Sequence, residues 1–270
     1  MWFNRKSNSR VAIVKVEGVI ADSDTFGAGR SKILAALKEA ERRKARAIVL
    51  RVNSPGGSVA ACQEIFASIE QIKEKGVPII ASMGDIAASG GVYISMAANE
   101  IFANPGTLTG SIGVIIKSND LSQLYDKVGV SPKVVKSGPH KDMLATYRSF
   151  SKDEELLLQN VIDDTYNQFV EVVASSRNIP RSDISLVADG RIMTGRQAKE
   201  AGLVDSLGGL DMAVKRASSL AGVSGEPQIF SIQPRRSLLQ RLLRPMTGYG
   251  ERAATGGLLS GVPLWILPTF

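Results

Sequence analysis

The chain has 270 residues, of which 44% are hydrophobic and 22% charged, and this composition excludes a disordered or fibrous protein. One cysteine, Cys62, and one histidine, His140, exclude a disulfide framework, a multi-thiolate zinc site and any site built from two imidazoles of one chain. We therefore expect no metal and no other cofactor. The net charge of +7 lies at the two ends, in the first ten residues and in residues 235–270. This distribution favours contact with an anionic membrane surface over nucleic-acid binding, and basic ends that only aid solubility are the alternative.

Strand and helix patterns alternate through the first half of the chain. The first ten residues lack the apolar core of a secretory signal. Continuous apolar runs predict strands buried on both faces of a parallel sheet. The predicted strands are 11–20, 45–52, 77–83, 100–103, 112–116 and 132–136, and the predicted helices include 31–44 and 121–128. This βαβ rhythm predicts an α/β fold with crossover helices.

The second half is helical. Ser151 and Glu154 form a capping box before a long amphipathic helix, and shorter helices follow to about residue 220. We predict one domain, with a catalytic core at 11–150 and covering helices at 151–225, followed by a basic tail at 226–270. Within that tail, RRSLLQRLLR predicts a basic amphipathic helix on a bilayer, or an ordinary surface helix. The uncharged residues 253–270 predict an interfacial or partner-docking segment, because their glycines and prolines disfavour a spanning helix.

Two turns that follow buried strands carry the candidate chemistry. Asn53-Ser54-Pro55-Gly56-Gly57-Ser58 exposes backbone N–H groups before a helix, where they can bind a phosphate or a developing oxyanion. Ala87-Ala88-Ser89-Gly90-Gly91 places a serine between small residues at a strand-to-helix junction. Each signal is weak alone: the first pattern is above all a turn, and Ser89 in the second could be an N-cap instead of a nucleophile.

A serine nucleophile needs a general base. The two candidates are neighbours, His140 and Lys141. A lysine serves as a base only when burial lowers its pKa, and most lysines are solvated surface residues. The residues alone predict a serine with an oxyanion loop, and they leave the base open.

Read in order, four segments resemble the signal peptide peptidase A family, also called protease IV. They are RVNSPGGSVAACQEI, ASMGDIAASGGVYISMAANEIFANPGTLTGSIGVI, VVKSGPHKDM and ADGRIMTGRQAKEAGLVDSLGG. They span about residues 11–220, and four ordered motifs are far more specific than any one of them. The compact form is most similar to the short cyanobacterial members.

This resemblance implies a Clp-protease/crotonase-like fold and a Ser–Lys dyad. The family's serine falls on Ser89 and its lysine falls on Lys141, with no catalytic part for His140. The N–H groups of Gly57 and Gly90 are assigned as oxyanion donors. Two further serines, Ser111 and Ser137, are candidates for orienting the lysine.

The family also sets the expected assembly and substrates. It implies a ring-like homo-oligomer in which serine and lysine come from different subunits, and substrates that are remnant signal peptides and other hydrophobic peptides. We expect a peripheral membrane protein, with a cytoplasmic location as the alternative. Two rival functions stay open: a crotonase-type acyl-CoA enzyme with the same core, and a non-catalytic relative that binds membrane proteins.

Overall fold

The computed structural model describes residues 9–22, 27–232 and 264–266. Within these ranges, a large and mainly parallel sheet, a small second sheet and surrounding helices make an α/β fold. No helix in them combines the length and the apolar character that crossing a bilayer requires. The arginine-rich part of the predicted tail, and with it the predicted amphipathic helix at 235–244, lies outside the described residues.

The elements follow one another in this order. The first half contains β1 (Arg10–Glu17), β2 (Ile20–Ala21), β3 (Ala28–Gly29), α1 (Arg30–Arg42), β4 (Ala47–Ser54), β5 (Gly56–Ser58), α2 (Val59–Glu74), β6 (Ile79–Ala88), α3 (Gly90–Ser95), β7 (Glu100–Ala103), β8 (Leu108–Gly110) and α4 (Ser122–Lys127). The second half contains α5 (Lys152–Arg177), a 3₁₀ turn (Ile184–Leu186), β9 (Ile192–Thr194), α6 (Gly195–Glu200), β10 (Ser206–Leu207), α7 (Leu210–Leu220), β11 (Gln228–Ile232) and β12 (Leu264–Ile266).

The large sheet has the strand order β10-β7-β6-β4-β1-β11, and its neighbours along this path run parallel. Strand β8 extends it by pairing with the end of β6, and β9 pairs antiparallel with β8. The central strand β4 is apolar and buried along most of its length because helices cover both faces of the sheet. Strand β11 lies within the predicted tail, so the sheet extends beyond the predicted boundary at residue 225.

Two apolar layers hold the helices on the sheet. On one face, Ala213, Val214 and Ala217 of α7 pack against buried residues of β1, β4 and β6. On the other face, α1, α2, α3 and α5 contribute to the larger core, with Phe169 of α5 fully buried. The start of α5 has the predicted capping box, since Ser151 Oγ accepts from the N–H of Glu154. These layers fix the carboxyl ends of β4 and β6, where both candidate turns lie.

Two predicted strands are absent. Instead of a strand at 112–116, strand β8 ends at Gly110, and only an isolated bridge at Ile115 follows. Residues 132–136 form no regular structure, and Val135 is fully exposed. A strand needs a neighbouring edge for its backbone hydrogen bonds, and the described part of this chain pairs none with 132–136.

Candidate active site

The two candidate turns meet at the carboxyl end of the large sheet. Strand β6 runs beside β4 up to the pair Ser54 and Ala87, and β6 ends one residue before Ser89. The N–H of Ser89 donates to Gly110 O at 2.8 Å, so β8 holds this end of β6 from the other side. This is the edge where open α/β folds place their sites.

Ser89 has a strained backbone and a free hydroxyl. Its φ of 53° and ψ of −115° lie in a region that non-glycine residues rarely adopt, as expected for a sharp strand-to-helix turn. The side chain makes no capping hydrogen bond, which argues against the N-cap interpretation. Its Oγ is buried and has no hydrogen-bond partner among the described residues. A buried hydroxyl held at an energetic cost in this way is typical of a functional group.

The paired glycines of both turns are required by close packing. A Cβ on Gly56 would lie 2.7 Å from Gly90 N, and Gly56 has a φ of +102°. A Cβ on Gly57 would lie 1.8 Å from Ile20 O. A Cβ on Gly91 would lie 2.9 Å from the carbonyl oxygen of Ser54, the residue whose Oγ accepts from the N–H of Gly56. The structure therefore brings the predicted oxyanion loop and the start of α3 into direct contact.

Lys141 lies in a separate, exposed loop. It is solvent exposed, and within the described chain it makes no hydrogen bond to Ser89 Oγ. The neighbouring His140 is 43% exposed and lies 4.0 Å from a Glu154 oxygen. Ser137 is also exposed, whereas Ser111 is buried next to Gly110, with a φ of 52°. A single chain thus brings the Ser89-Gly90 turn and the Gly56-Gly57 loop together, with Ser111 next to the residue that accepts from the Ser89 N–H, whereas Lys141 and Ser137 are exposed on a loop.

An ionic network anchors the loop that carries Lys141. Arg148 donates to Asp142 and to Glu154, and Lys136 and Tyr147 also donate to Asp142. Hydrogen bonding from the Arg148 guanidinium is the main reason why the pKa of Asp142 lies far below its usual range. The same guanidinium lowers the pKa of Glu154 to about 2. Because Glu154 is in the first turn of α5, the network connects the Lys141 loop to that helix.

The C-terminal segment β12 lies against the oxyanion loop, which the sequence did not predict. Trp265 pairs antiparallel with Gly57, and Ile266 pairs with Gly56. Trp265 is fully buried, with its ring 4.1 Å from that of Tyr93 and 4.8 Å from that of Phe169. Burial raises the pKa of Tyr93 to about 12, so its phenol stays neutral. The available signal is the uncharged, largely apolar run of residues 253–270, which predicts only an interfacial or partner-docking segment.

Comparison with known proteins identifies the family and the fold. The model of peptidase family S49 matches residues 71–224, and that of Clp protease matches residues 11–107. A solved structure titled as a membrane-bound stomatin-specific protease shares the fold, with a TM-score of 0.52 at 17% identity over 84% of this chain and 97% of the other.

Several relatives are similar over most of this chain. Protein slr0021 of Synechocystis sp., whose name describes it as a candidate protease, is 42% identical over 98% of this chain and 99% of its own. Protease 4 of Salmonella typhi is 36% identical over 88% of this chain, but this chain spans only 39% of its length. Serine protease SPPA of Arabidopsis thaliana chloroplasts is 38% identical over 68% of this chain and 27% of its own. The predicted resemblance and the Clp-protease-like α/β fold are confirmed, and the chain belongs to peptidase family S49.

Proposed function

We propose that the protein is a serine endopeptidase in which Ser89 is the nucleophile. The observation that carries this proposal is the buried, unpartnered Ser89 Oγ on a positive-φ turn beside the Gly56-Gly57 loop. A hydroxyl held in this position is free to attack, and backbone N–H groups aimed at one point stabilise the oxyanion that forms. Gly57 and Gly90 are the proposed donors of those N–H groups.

Lys141 is the proposed general base, supplied by a neighbouring copy of the chain. Its exposure, and the lack of a hydrogen bond between it and Ser89 Oγ in the described chain, support a site shared between copies. The exposed valines at 134 and 135, in a segment without a strand partner, support an interface in the same region. Burial in that interface would remove the charge of the amine, and only a neutral amine can accept a proton.

The proposed reaction has two steps. In acylation, Lys141 Nζ takes the Ser89 proton while Oγ attacks the peptide carbonyl, and the ammonium then protonates the leaving amine. In deacylation, Lys141 takes a proton from water, the hydroxide attacks the ester, and the proton returns to Ser89. Ser111 and Ser137 are proposed to orient the lysine, and Ser111 is the better placed in a single chain because it lies beside Gly110.

Hydrophobic peptides, including remnant signal peptides, are the proposed substrates. The aromatic surroundings of Trp265 support an apolar preference, and an Enterococcus faecium relative 40% identical to this chain carries the name signal peptide peptidase. The basic, leucine-rich composition of residues 235–244 supports peripheral contact with an anionic membrane. Vesicle co-sedimentation of the intact protein tests this contact, and unchanged partitioning after the arginines of 235–244 are replaced by glutamine would refute it.

Active-site labelling tests the nucleophile. A fluorophosphonate probe is expected to modify Ser89, as mapped by mass spectrometry, and to leave Ser89→Ala unlabelled. Ser95→Ala is the matched control, because Ser95 is also a buried serine but its hydroxyl already donates to Gly91 O, and its loss should leave labelling at Ser89 intact. Labelling of the Ser89→Ala protein, or equal loss of labelling in both variants, would contradict the assignment.

A further inference from the structure

Strand β12 is held as an extended peptide between two edges of the protein. On one side it pairs antiparallel with β5, from Leu264 opposite Ser58 to Ile266 opposite Gly56. On the other side Leu264 forms a two-way bridge with Ile115, in which the N–H of Leu264 donates to Ile115 O at 3.0 Å and the reverse bond is 3.1 Å. Pairing of this kind recognises a peptide through its backbone, and pockets beside it select the side chains.

The backbone of β12 passes directly over the proposed oxyanion loop. A Cβ on Gly56 would lie 1.9 Å from the carbonyl oxygen of Trp265, and one on Gly90 would lie 3.0 Å from the same oxygen. Because Gly90 follows Ser89, this carbonyl lies at the meeting point of the two turns. A peptide about to be cleaved needs its reacting carbonyl at that point.

The side chain of Trp265 fills an aromatic pocket beside the proposed nucleophile. Tyr93 and Phe169 contact its ring, and Phe66 packs on Tyr93 with the two centroids 5.1 Å apart. The indole Nε1 has no hydrogen-bond partner among the described residues. The pocket therefore recognises the shape and apolar surface of an aromatic group, and it provides no polar partner that would demand tryptophan itself.

The groove continues past Ile266. A cavity of about 350 Å³ adjoins this side chain and is lined by Ser111, Ile112, Tyr166 and Asp189, among others. A substrate longer than three residues would find space in this cavity beside its bound strand.

We propose that Leu264–Ile266 is a tethered occupant of the substrate groove, with Trp265 in the pocket that receives the aromatic side chain preceding the scissile bond. This proposal rests on the proposed peptidase function and names the side chain that the site prefers. The occupant competes with substrate, since a tethered segment acts at an effective concentration that free peptides must exceed. Substrate access then depends on displacement of β12.

A binding experiment in the inactive Ser89→Ala background tests the proposal without relying on catalysis. The probe is a fluorescein-labelled peptide of sequence VPLWILPTF, and the proteins are full-length chains that also carry Trp265→Phe, Trp265→Leu or Trp265→Ala. We expect the chain with native Trp265 to bind the probe at least about tenfold more weakly than the Trp265→Ala chain. Trp265→Phe should stay close to the native chain, with Trp265→Leu between them. A probe in which alanine replaces tryptophan should bind about a hundredfold more weakly.

Equal probe affinity across this series, or no binding to the variants with an emptied pocket, would overturn the proposal. If Trp265→Ala does not fold, the Trp265→Leu chain gives the same comparison, because leucine leaves part of the pocket empty. A negative result in this binding test has no bearing on the labelling test of Ser89 in the native chain. Conversely, if the Ser89→Ala series binds the probe as expected but the native chain is not labelled at Ser89 by the fluorophosphonate, the peptidase proposal alone is refuted.

Discussion

Replacing Ser89 should abolish activity and, where Lys141 of a neighbouring copy is absent, make the protein more stable. A buried hydroxyl without a partner costs about 1–3 kcal/mol, and Ser89 Oγ is such a group. A positive φ on a non-glycine residue costs about 1–3 kcal/mol more. Ser89→Ala removes only the first cost, so the free energy of unfolding should rise by about 1 kcal/mol. Ser89→Gly removes both costs, but the flexibility of glycine in the unfolded chain cancels about 0.5–1 kcal/mol of the gain in stability.

Calorimetry or denaturant titration measures these differences in the full-length Lys141→Ala protein, because Lys141 of a neighbouring copy would otherwise partner the Ser89 hydroxyl. About 1 kcal/mol corresponds to roughly 2–4 °C in Tm for a domain of this size. Ser95→Ala is the matched control, because Ser95 is equally buried on the next helical turn but donates to Gly91 O at 2.7 Å. Its loss should lower stability by about 1 kcal/mol. If, in the Lys141→Ala protein, the added Ser89→Ala change brings no gain in stability while Ser95→Ala behaves as expected, the Ser89 hydroxyl has a stabilising partner in its own chain and the reasoning is refuted.

Three further predictions concern the two loops. Gly57→Ala should abolish peptide hydrolysis and lower Tm, because the new Cβ would lie 1.8 Å from the backbone of β2. Gly106→Ala is the control and should change neither property, because the space around Gly106 is open. Normal turnover by Gly57→Ala would contradict this packing. Acid should loosen the Lys141 loop, because the folded-state pKa values of Asp142 and Glu154 are depressed. The stability that these carboxylates add is complete above their ordinary pKa values near 4 and is lost as the pH falls towards 2. Hydrogen exchange of residues 137–147 would detect this loss. Arg148→Met should loosen the same loop already at neutral pH, and unchanged exchange in this variant would show that the ionic network does not hold the loop.

The sequence predicted the elements whose signals are local. The apolar runs of β4 and β6, the capping box at Ser151 and helix α7 all lie where periodicity and capping chemistry place them. The turn at Ser89 was recognisable because only small residues can surround a strained junction. These features depend on a few neighbouring residues, so they are readable from a short stretch of sequence.

The features that the sequence did not predict depend on distant contacts. The apolar run at 132–136 satisfies a strand pattern, but a strand forms only where another edge supplies its hydrogen bonds. The position of Trp265 follows from pairing with Gly57, more than 200 residues earlier, and no periodicity encodes such a pairing. The aromatic pocket of Tyr93 and Phe169 is hidden for the same reason, since its two residues come from α3 and α5, which lie far apart in the chain.

The shared catalytic site is tested most directly by mixing two inactive variants. Ser89→Ala and Lys141→Ala proteins are each expected to lack peptide hydrolysis, because nucleophile and base act as a unit. When the two are unfolded together and reassembled, activity should return, because some sites combine the intact Ser89 of one copy with the intact Lys141 of another. If the mixed assemblies form but stay inactive, or if Lys141→Ala alone retains full turnover, the two residues do not form one site between copies.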